Sequence, residues 1–432
     1  MSSIAIGTVG IIALVIFLFA RMPIGFAMGI VGFLGFWWLR DWTGAVALLD
    51  SIPYRTVANY VLSTLPLFIL MGQFAFKSDI GDDLYKTMRI WLGRLPGGLA
   101  MATIGGSAGF AATSGSSIAT SASMAMVALP QMRKYEYDIA MSTGCIAAGG
   151  TLGILIPPSM GFILYGVVTE ESIGKLFLAG ILPGILLTFL FIITILMLTL
   201  MNSKMAQPGP STTLKEKLSS LKGAGPALIL FIVVIGGIYG GIFTSTEAAA
   251  IGAFGALVIG ITRKKLSLNA FFDCLLETGS VSAMIFFILI GATIFSRFLT
   301  MSNIPSSLAM YVTALDVQPS IILIAILVFY LCLGTFMDIA SGLLLTLPVI
   351  YPIILDLGYD PIWFGVITVL MFEMGLVTPP VGLNVFVIKG IAQDVPIETI
   401  FRGIVPFLLA MILCVIMLIV FPQIATFLPM IM

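Results

Sequence analysis

The chain has 432 residues, 59% of them apolar and only 9% charged, with a mean hydropathy of +1.16. A soluble globular domain carries about 25% charge, so that class is excluded. Twenty basic residues balance twenty acidic ones, which leaves no basic surface for nucleic acid. Histidine is absent, which removes imidazole metal ligands, Ser-His and Cys-His nucleophiles and the usual proton shuttle.

In chain order, apolar runs bounded by charge, Pro or Gly give ten full crossings: 4–20, 22–39, 61–76, 136–166, 176–200, 226–242, 246–262, 277–300, 359–389 and 403–430. Each approaches the about 20 apolar residues that a bilayer crossing needs. No basic residue precedes the run that starts at Ile4, so it reads as a first span rather than a cleaved signal peptide. Two further stretches, 96–132 and 318–355, are apolar but cut near their middles by polar, Gly-rich sequence. The four cysteines (Cys145, Cys274, Cys332 and Cys414) lie scattered in apolar segments without CxxC spacing and are expected as buried thiols.

Lys and Arg set the orientation. With both interrupted stretches drawn as hairpins and the N-terminus outside, sixteen of the twenty basic residues fall on the cytoplasmic side. The outside keeps Arg40, Arg55 and Lys175, and Arg297 lies within a span. Making either stretch a full crossing scrambles this bias in every later loop. The C-terminus then also faces outside.

Four matches recur in order between the two halves of the chain. Phe68-Ile69-Leu70-Met71-Gly72 pairs with Phe287-Ile288-Leu289-Ile290-Gly291, and Ser117-Ile118-Ala119-Thr120 with Asp338-Ile339-Ala340-Ser341. Gly153 to Pro158 pairs with Gly375 to Pro380, and Gly180 and Pro183 with Gly403 and Pro406. The copies run in opposite directions through the membrane, which is the inverted-repeat plan of secondary transporters with a site at mid-membrane. The polar linker is 201–225, including Gln207-Pro208-Gly209-Pro210 and Lys215-Glu216-Lys217.

Backbone groups inside a bilayer must be bonded unless they line a cavity or a buried site. Each copy breaks its backbone twice. Thr113-Ser114-Gly115-Ser116-Ser117 and Gly334-Thr335-Phe336-Met337-Asp338 interrupt the hairpins, and Pro157-Pro158 and Pro379-Pro380 interrupt the crossings that follow. A proline pair removes two amide donors and frees the carbonyls one turn earlier. Those carbonyls and the tip hydroxyls are hard oxygen ligands for a small cation, and half-helix N-termini suit an anion. A Pro-Pro pair alone also reads as a simple kink, and Gly105, Ser107 and Gly109 as close helix packing. The recurrence of tip and break together favours binding.

Charge at membrane depth is costly and usually functional. Asp338 sits at a tip, with Ser117 as its repeat mate. Glu373, six residues before Pro379, either orients the break or pairs with another buried group. Arg297 either neutralises a substrate anion or, the favoured reading, snorkels outward, and Glu247, after Thr244-Ser245-Thr246, reads as part of a helix N-terminus.

These residues resemble the large membrane subunit of tripartite ATP-independent periplasmic (TRAP) transporters over most of the chain. The likeness is carried by Arg21-Met22-Pro23-Ile24-Gly25-Phe26-Ala27, by the run from Gly150 to Ser159, by the run from Gly240 to Ala250 and by Met337-Asp338-Ile339-Ala340-Ser341-Gly342. Ser245 departs from the proline common there in the family. The resemblance implies an all-α polytopic membrane protein, an inverted repeat with two re-entrant hairpins and the elevator fold of the ion-transporter superfamily. It implies sodium-driven import of an organic acid anion into a bacterial cell across the inner membrane. The expected partners are a small four-helix membrane subunit (Q) and a periplasmic substrate-binding protein (P). A single-component divalent anion:sodium symporter of the same fold is the alternative.

On this reading residues 1–60 are scaffold helices and a surface arm, and 61–200 the first repeat with hairpin 96–132 entering from the cytoplasm. Residues 201–225 are the linker, 226–276 further scaffold helices, and 277–432 the second repeat with hairpin 318–355 entering from the periplasm. The resemblance places a first sodium ion at Ser114 and Ser116 and at carbonyls near Gly153, Ile156 and Pro158. The repeat places a second at Gly334, Thr335, Met337, Gly375, Thr378 and Pro380. Substrate is expected near Ser117, Ser159, Asp338 and Asn384.

Overall fold

A computed structural model of the chain describes residues 2–207, 212–314 and 317–431, which are helices and turns throughout. Pro208, Gly209 and Pro210 of the linker lie outside the described residues. The helices α1 (Ser3–Phe19) and α2 (Ile24–Leu39) follow the first two apolar runs, and α3 (Trp42–Val57) starts where the Asp41 side chain accepts the Gly44 amide. Next come α4 (Thr64–Lys77), the amphipathic α5 (Ile80–Leu92), a hairpin of α6 (Gly98–Ser114) and α7 (Ser117–Lys134), the pair α8 (Ile139–Leu155) and α9 (Met160–Thr169), and the long α10 (Ile173–Met201).

After the linker, α11 (Leu214–Tyr239) and α12 (Ser245–Thr262) are each opened by a capping box, Thr213 with Glu216 and Thr244 with Glu247. Each box satisfies two orphan amides reciprocally. The earlier order then recurs. A long α13 (Leu268–Ser302) and a short α14 (Ile304–Ala314) precede the hairpin of α15 (Pro319–Gly334) and α16 (Ile339–Asp356). The broken pair α17 (Pro361–Gly375) and α18 (Leu383–Ile391) follows, then α19 (Ile397–Val420) and α20 (Gln423–Ile431).

Several expected boundaries move. Ser267 accepts the Ala270 amide, so α13 begins nine residues before the apolar run at 277 and crosses the 276/277 division unbroken. The Thr213 box likewise starts α11 inside 201–225. The run 403–430 is two helices parted at Phe421 and Pro422. Cys332 is exposed on α15, whereas Cys145, Cys274 and Cys414 are buried as expected.

Eight helical segments are long and apolar enough to cross a membrane among the described residues. Their outer faces stay apolar, as at Ile185, Phe189, Met197 and Leu200 on α10, the kind of surface that marks a membrane or protein contact. Inside, α2 packs along α13 and α4 along α12, and the Thr64 and Thr246 hydroxyls meet at 2.8 Å. A methyl on Gly105 would stand 3.0 Å from the Met88 sulfur and one on Gly109 3.1 Å from Leu84, both of α5, which is the close packing expected of them.

Each hairpin returns to the end at which it began. The Tyr137 hydroxyl, just past α7, accepts the Leu99 amide at the start of α6 (3.2 Å). Along α8 and α9 the chain passes from this base to the base of the other hairpin. There Tyr165 donates to the Pro361 carbonyl (2.7 Å) and Tyr351 of α16 to Glu171 (2.8 Å). Along α17 and α18 it passes the opposite way, arriving where Asp394 pairs with Arg133 of α7. The two hairpin bases therefore lie at opposite ends of the broken helices, with both tips at the breaks between.

Candidate functional site at the helix breaks

At the first tip, Gly115 closes α6 with φ +62°, a left-handed conformation that glycine adopts without penalty. Ser116 then caps α7 by accepting the Ala119 amide (3.3 Å). The tip is tied together by Thr120. Its hydroxyl donates to the Ser116 carbonyl (2.8 Å) and lies 3.1 Å from the Ser114 hydroxyl.

The neighbouring break seats the tip. A methyl on Gly153 would stand 2.5 Å from the Ser116 carbonyl oxygen, and one on Gly115 would stand 2.6 Å from that of Pro158. Ser114, Ser116, Gly153 and Pro158 thus form one cluster of hydroxyls and carbonyls. Ile156 occupies the same break, with its side chain against Gly184 of α10.

The second tip repeats the plan in a different register. Gly375 seats against Gly334 and Thr335, where an added methyl would meet the Gly334 Cα at 2.5 Å and the Thr335 nitrogen at 2.8 Å. Its repeat mate Gly153 seats against Ser116, the mate of Met337, so the second contact falls two to three residues earlier than the repeat implies. Thr335 donates to the Cys332 carbonyl (2.7 Å) and Thr378 to the Met374 carbonyl (2.6 Å), each reaching back to the last turn of the helix it follows. Both hydroxyl oxygens keep a lone pair. The Met337 amide donates to Leu333, and Pro380 lies exposed in the stretch between α17 and α18.

Asp338 caps α16. Its carboxylate accepts the Ala340 and Ser341 amides (3.0 and 3.2 Å) and the Ser341 hydroxyl (2.6 Å). Ser341 is the repeat mate of Thr120, and each locks its own tip. Neither residue was among the expected ligands, although the alignment of Ser117 to Thr120 with Asp338 to Ser341 carries the signal.

The halves meet at the breaks. Gly161, two residues after Ser159, touches Ile339, next to Asp338. Ser159 is fully buried and caps α9 by accepting the Phe162 amide (3.3 Å). Asn384 opens α18 with its amide on the Leu376 carbonyl (3.2 Å), and both polar atoms of its buried side chain are unpartnered. Ser117, the first residue of α7, is buried, as is Glu373 of α17, neither of whose carboxyl oxygens has a hydrogen-bond partner. Four half-helix N-termini (α7, α9, α16 and α18) gather here, each carrying partial positive charge.

Among the described residues no three Asp, Glu, Cys or His side chains cluster as metal ligands. A cation held at these breaks would be held by carbonyls and hydroxyls, a donor set suited to hard cations.

Residues 11–424 match the DctM component of the tripartite ATP-independent periplasmic transporter. The C4-dicarboxylate TRAP transporter large permease of Pseudomonas aeruginosa is 36% identical over 377 residues, covering 87% of this chain and 88% of that one. The sialic acid TRAP transporter large permease of Vibrio cholerae is 33% identical over 417 residues, covering 95% and 96%. The isethionate TRAP transporter permease of Oleidesulfovibrio alaskensis is 37% identical over 369 residues, covering 85% and 58%. Among solved structures, the YdaH transporter of Alcanivorax borkumensis superposes with a TM-score of 0.55 at 15% identity, covering 89% and 86%. MtrF of Neisseria gonorrhoeae does so with 0.58 at 12%, covering 87% and 84%; at these identities the likeness is one of fold. With a family match along nearly its whole length and full-length relatives above 30% identity, this chain belongs to the DctM family, the large permeases of TRAP transporters.

Proposed function

We propose that this permease drives import of an organic acid anion with sodium, by an elevator movement of the block that carries both tips. The observation that carries the reading is the meeting of the four breaks, with each tip seated by a glycine on the break of its own half. Two sodium sites are assigned to these seats. The first uses Ser114, Ser116, Gly153, Ile156 and Pro158, and the second Gly334, Thr335, Met337, Gly375, Thr378 and Pro380. The anion is assigned to the space between the tips, near Ser117, Ser159, Asp338 and Asn384, under the positive ends of the half-helices. The named cargoes of the relatives (a C4-dicarboxylate, isethionate and sialic acid) are all organic acids, which supports an anionic substrate.

In this scheme the hairpins are re-entrant, one from each side of the inner membrane, and both termini are periplasmic. A small Q subunit and a periplasmic P protein complete the transporter. Sodium draws both tips shut over the anion, and only the closed block crosses. Two sodium ions with a monovalent acid would carry one net positive charge, so the membrane potential adds about 2.3 kcal/mol per 100 mV. The double variant Ser114→Ala with Thr335→Ala, reconstituted in proteoliposomes with both partners, is expected to lose most uptake and to flatten its sodium dependence. Undiminished sodium-dependent uptake overturns the assignment.

A further inference from the structure

One cavity lies apart from the tips. It has a volume of about 590 Å3 and opens between α2, α3, α13 and the end of α9, a size within the range of small-molecule sites. Glu170 lines it and stands next to Glu171, the acceptor of Tyr351, so the cavity lies at the end of the molecule where the second hairpin is based. Three arginines from three elements share its wall: Arg40 at the end of α2, Arg55 in the last turn of α3 and Arg297 near the end of α13. Among the described residues the ion pairs engage Lys86, Arg133, Arg263 and Lys265, and the hydrogen bonds of arginine side chains belong to Arg89, Arg133 and Arg263. The three arginines of the cavity thus have no protein partner there. Glu170 is the one acidic residue of the lining, which leaves a net charge of +2. Asp41 and Asp50 of the same arm do not line it, and Asp41 is held as the cap of α3. Thr56 adds a hydroxyl to the wall, and Asn59, whose side-chain oxygen accepts the Val61 amide (2.9 Å), adds an NH2 group. The rest of the lining is mostly apolar.

A cation near a helix C-terminus is favourable on its own account, and that suffices for each arginine singly. It does not explain why three of them, from positions as far apart as 40 and 297, share one cavity in which like charges repel. Charges of one sign gathered in a concave space with apolar walls concentrate ions of the other sign. We propose that this cavity is a binding site for an oxyanion group, carboxylate or phosphate, separate from the anion site assigned between the tips. A guanidinium presents a planar fork that matches either group with paired hydrogen bonds. At a membrane surface such a group comes from a soluble organic acid or from the headgroup of an acidic lipid. Neither needs sodium, so this site stands or falls apart from the sodium sites.

The test uses the full chain in nanodiscs of phosphatidylcholine, in choline salts without sodium and at constant ionic strength. Choline phosphate and choline succinate are titrated against choline chloride while the melting temperature is recorded. A parallel set of discs contains phosphatidylglycerol, and native mass spectrometry of the released protein counts the acidic lipid it retains. A saturable rise in melting temperature with phosphate or succinate that chloride does not reproduce identifies a soluble anion as the ligand. Retained phosphatidylglycerol identifies a headgroup. Whichever signal the wild type gives, Arg55→Gln and Arg297→Gln should each weaken it about fivefold, the upper range for one exposed ion pair, and the double variant should lose it. Arg297→Lys, which keeps the charge without the fork, should fall between. Lys175→Gln removes an exposed cation at the same end but outside the cavity and should match the wild type. All the replaced side chains are exposed, so the variants are expected to fold. A wild type with neither signal, a double variant that keeps it, or an equal loss in Lys175→Gln overturns the site.

Discussion

The two tips are built from the same parts yet covered differently. Around the first, Pro157 and Pro158 are buried, as are Ser114 and Ser117. Around the second, Pro379 and Pro380 are exposed and Phe336 is 67% exposed. The closing helices explain the contrast. Gly180 and Gly184 of α10 lie against Leu155 and Ile156, so α10 lids the first break. Gly403, the repeat mate of Gly180, sits instead against Ala140 at the start of α8. Four residues separate α8 from α9, whereas seven separate α17 from α18, and the longer gap stays uncovered. A repeat fixes which atoms meet at a tip, while the covering depends on what each closing helix happens to cross.

The sharpest way to break this comparison is to overfill both seats. In Gly153→Val the new side chain meets a tip held by Thr120 and sealed by α10, and it has nowhere to go. A cost at the upper end of the about 1–3 kcal/mol typical of overpacking is expected. Gly375→Val presses on a tip with open space beyond it, and a cost near the lower end is expected. Thermal melting of the two purified variants decides. Equal losses, or a greater loss at Gly375, would show that the covering does not stiffen the first tip.

The caps sharpen the comparison at smaller amplitude. Asp338 accepts three hydrogen bonds from the first turn of α16, whereas Ser116 accepts a single long one from Ala119. Loss of a good cap costs about 1–2 kcal/mol and of a weak one about 0.5 kcal/mol. Asp338→Ala should therefore lower the melting temperature clearly and Ser116→Ala barely. The reverse order would mean that the first tip relies on its cap more than on Thr120.

Much of this was legible in the residues. The hairpin interruptions at Ser114 to Ser117 and Gly334 to Asp338 are where the helices break, because glycine and capping side chains end one helix and start the next. The paired prolines follow the ends of α8 and α17, where two successive amide donors are lost, whereas the single Pro183 of α10 and Pro406 of α19 leave their helices continuous. The starts of α11 and α13 were misplaced because Leu214 to Lys222 and Leu268 to Glu277 are polar enough to resemble loops, and only the caps at Thr213 and Ser267 betray them. The seat of Gly375 was legible only to within a few residues, since a repeat alignment carries order but not register. Glu373 stood out as a buried charge, yet that neither of its carboxyl oxygens has a hydrogen-bond partner is a property of the packing between elements that no local pattern holds.

The smallest expected effect concerns the ends rather than the tips. At one end Arg133 of α7 donates to both oxygens of Asp394 (2.9 and 3.0 Å), tying the first hairpin to the loop ahead of α19. At the other end the corresponding tie, Tyr351 to Glu171, has no cation. The Arg133 hydrogen bond holds the Asp394 carboxyl below its ordinary value of 3.8. A group depressed in this way contributes stability above its unfolded value, and the contribution is lost as pH falls through the lowered folded value. Asp394→Asn keeps the shape and removes the charge. It should melt slightly lower than the wild type by a constant margin above about pH 5, with the margin closing as pH drops below 4. Because the pair is exposed, added salt should also narrow the margin. A margin that widened in acid would place the tie at the first hairpin in its shape and not in its charge.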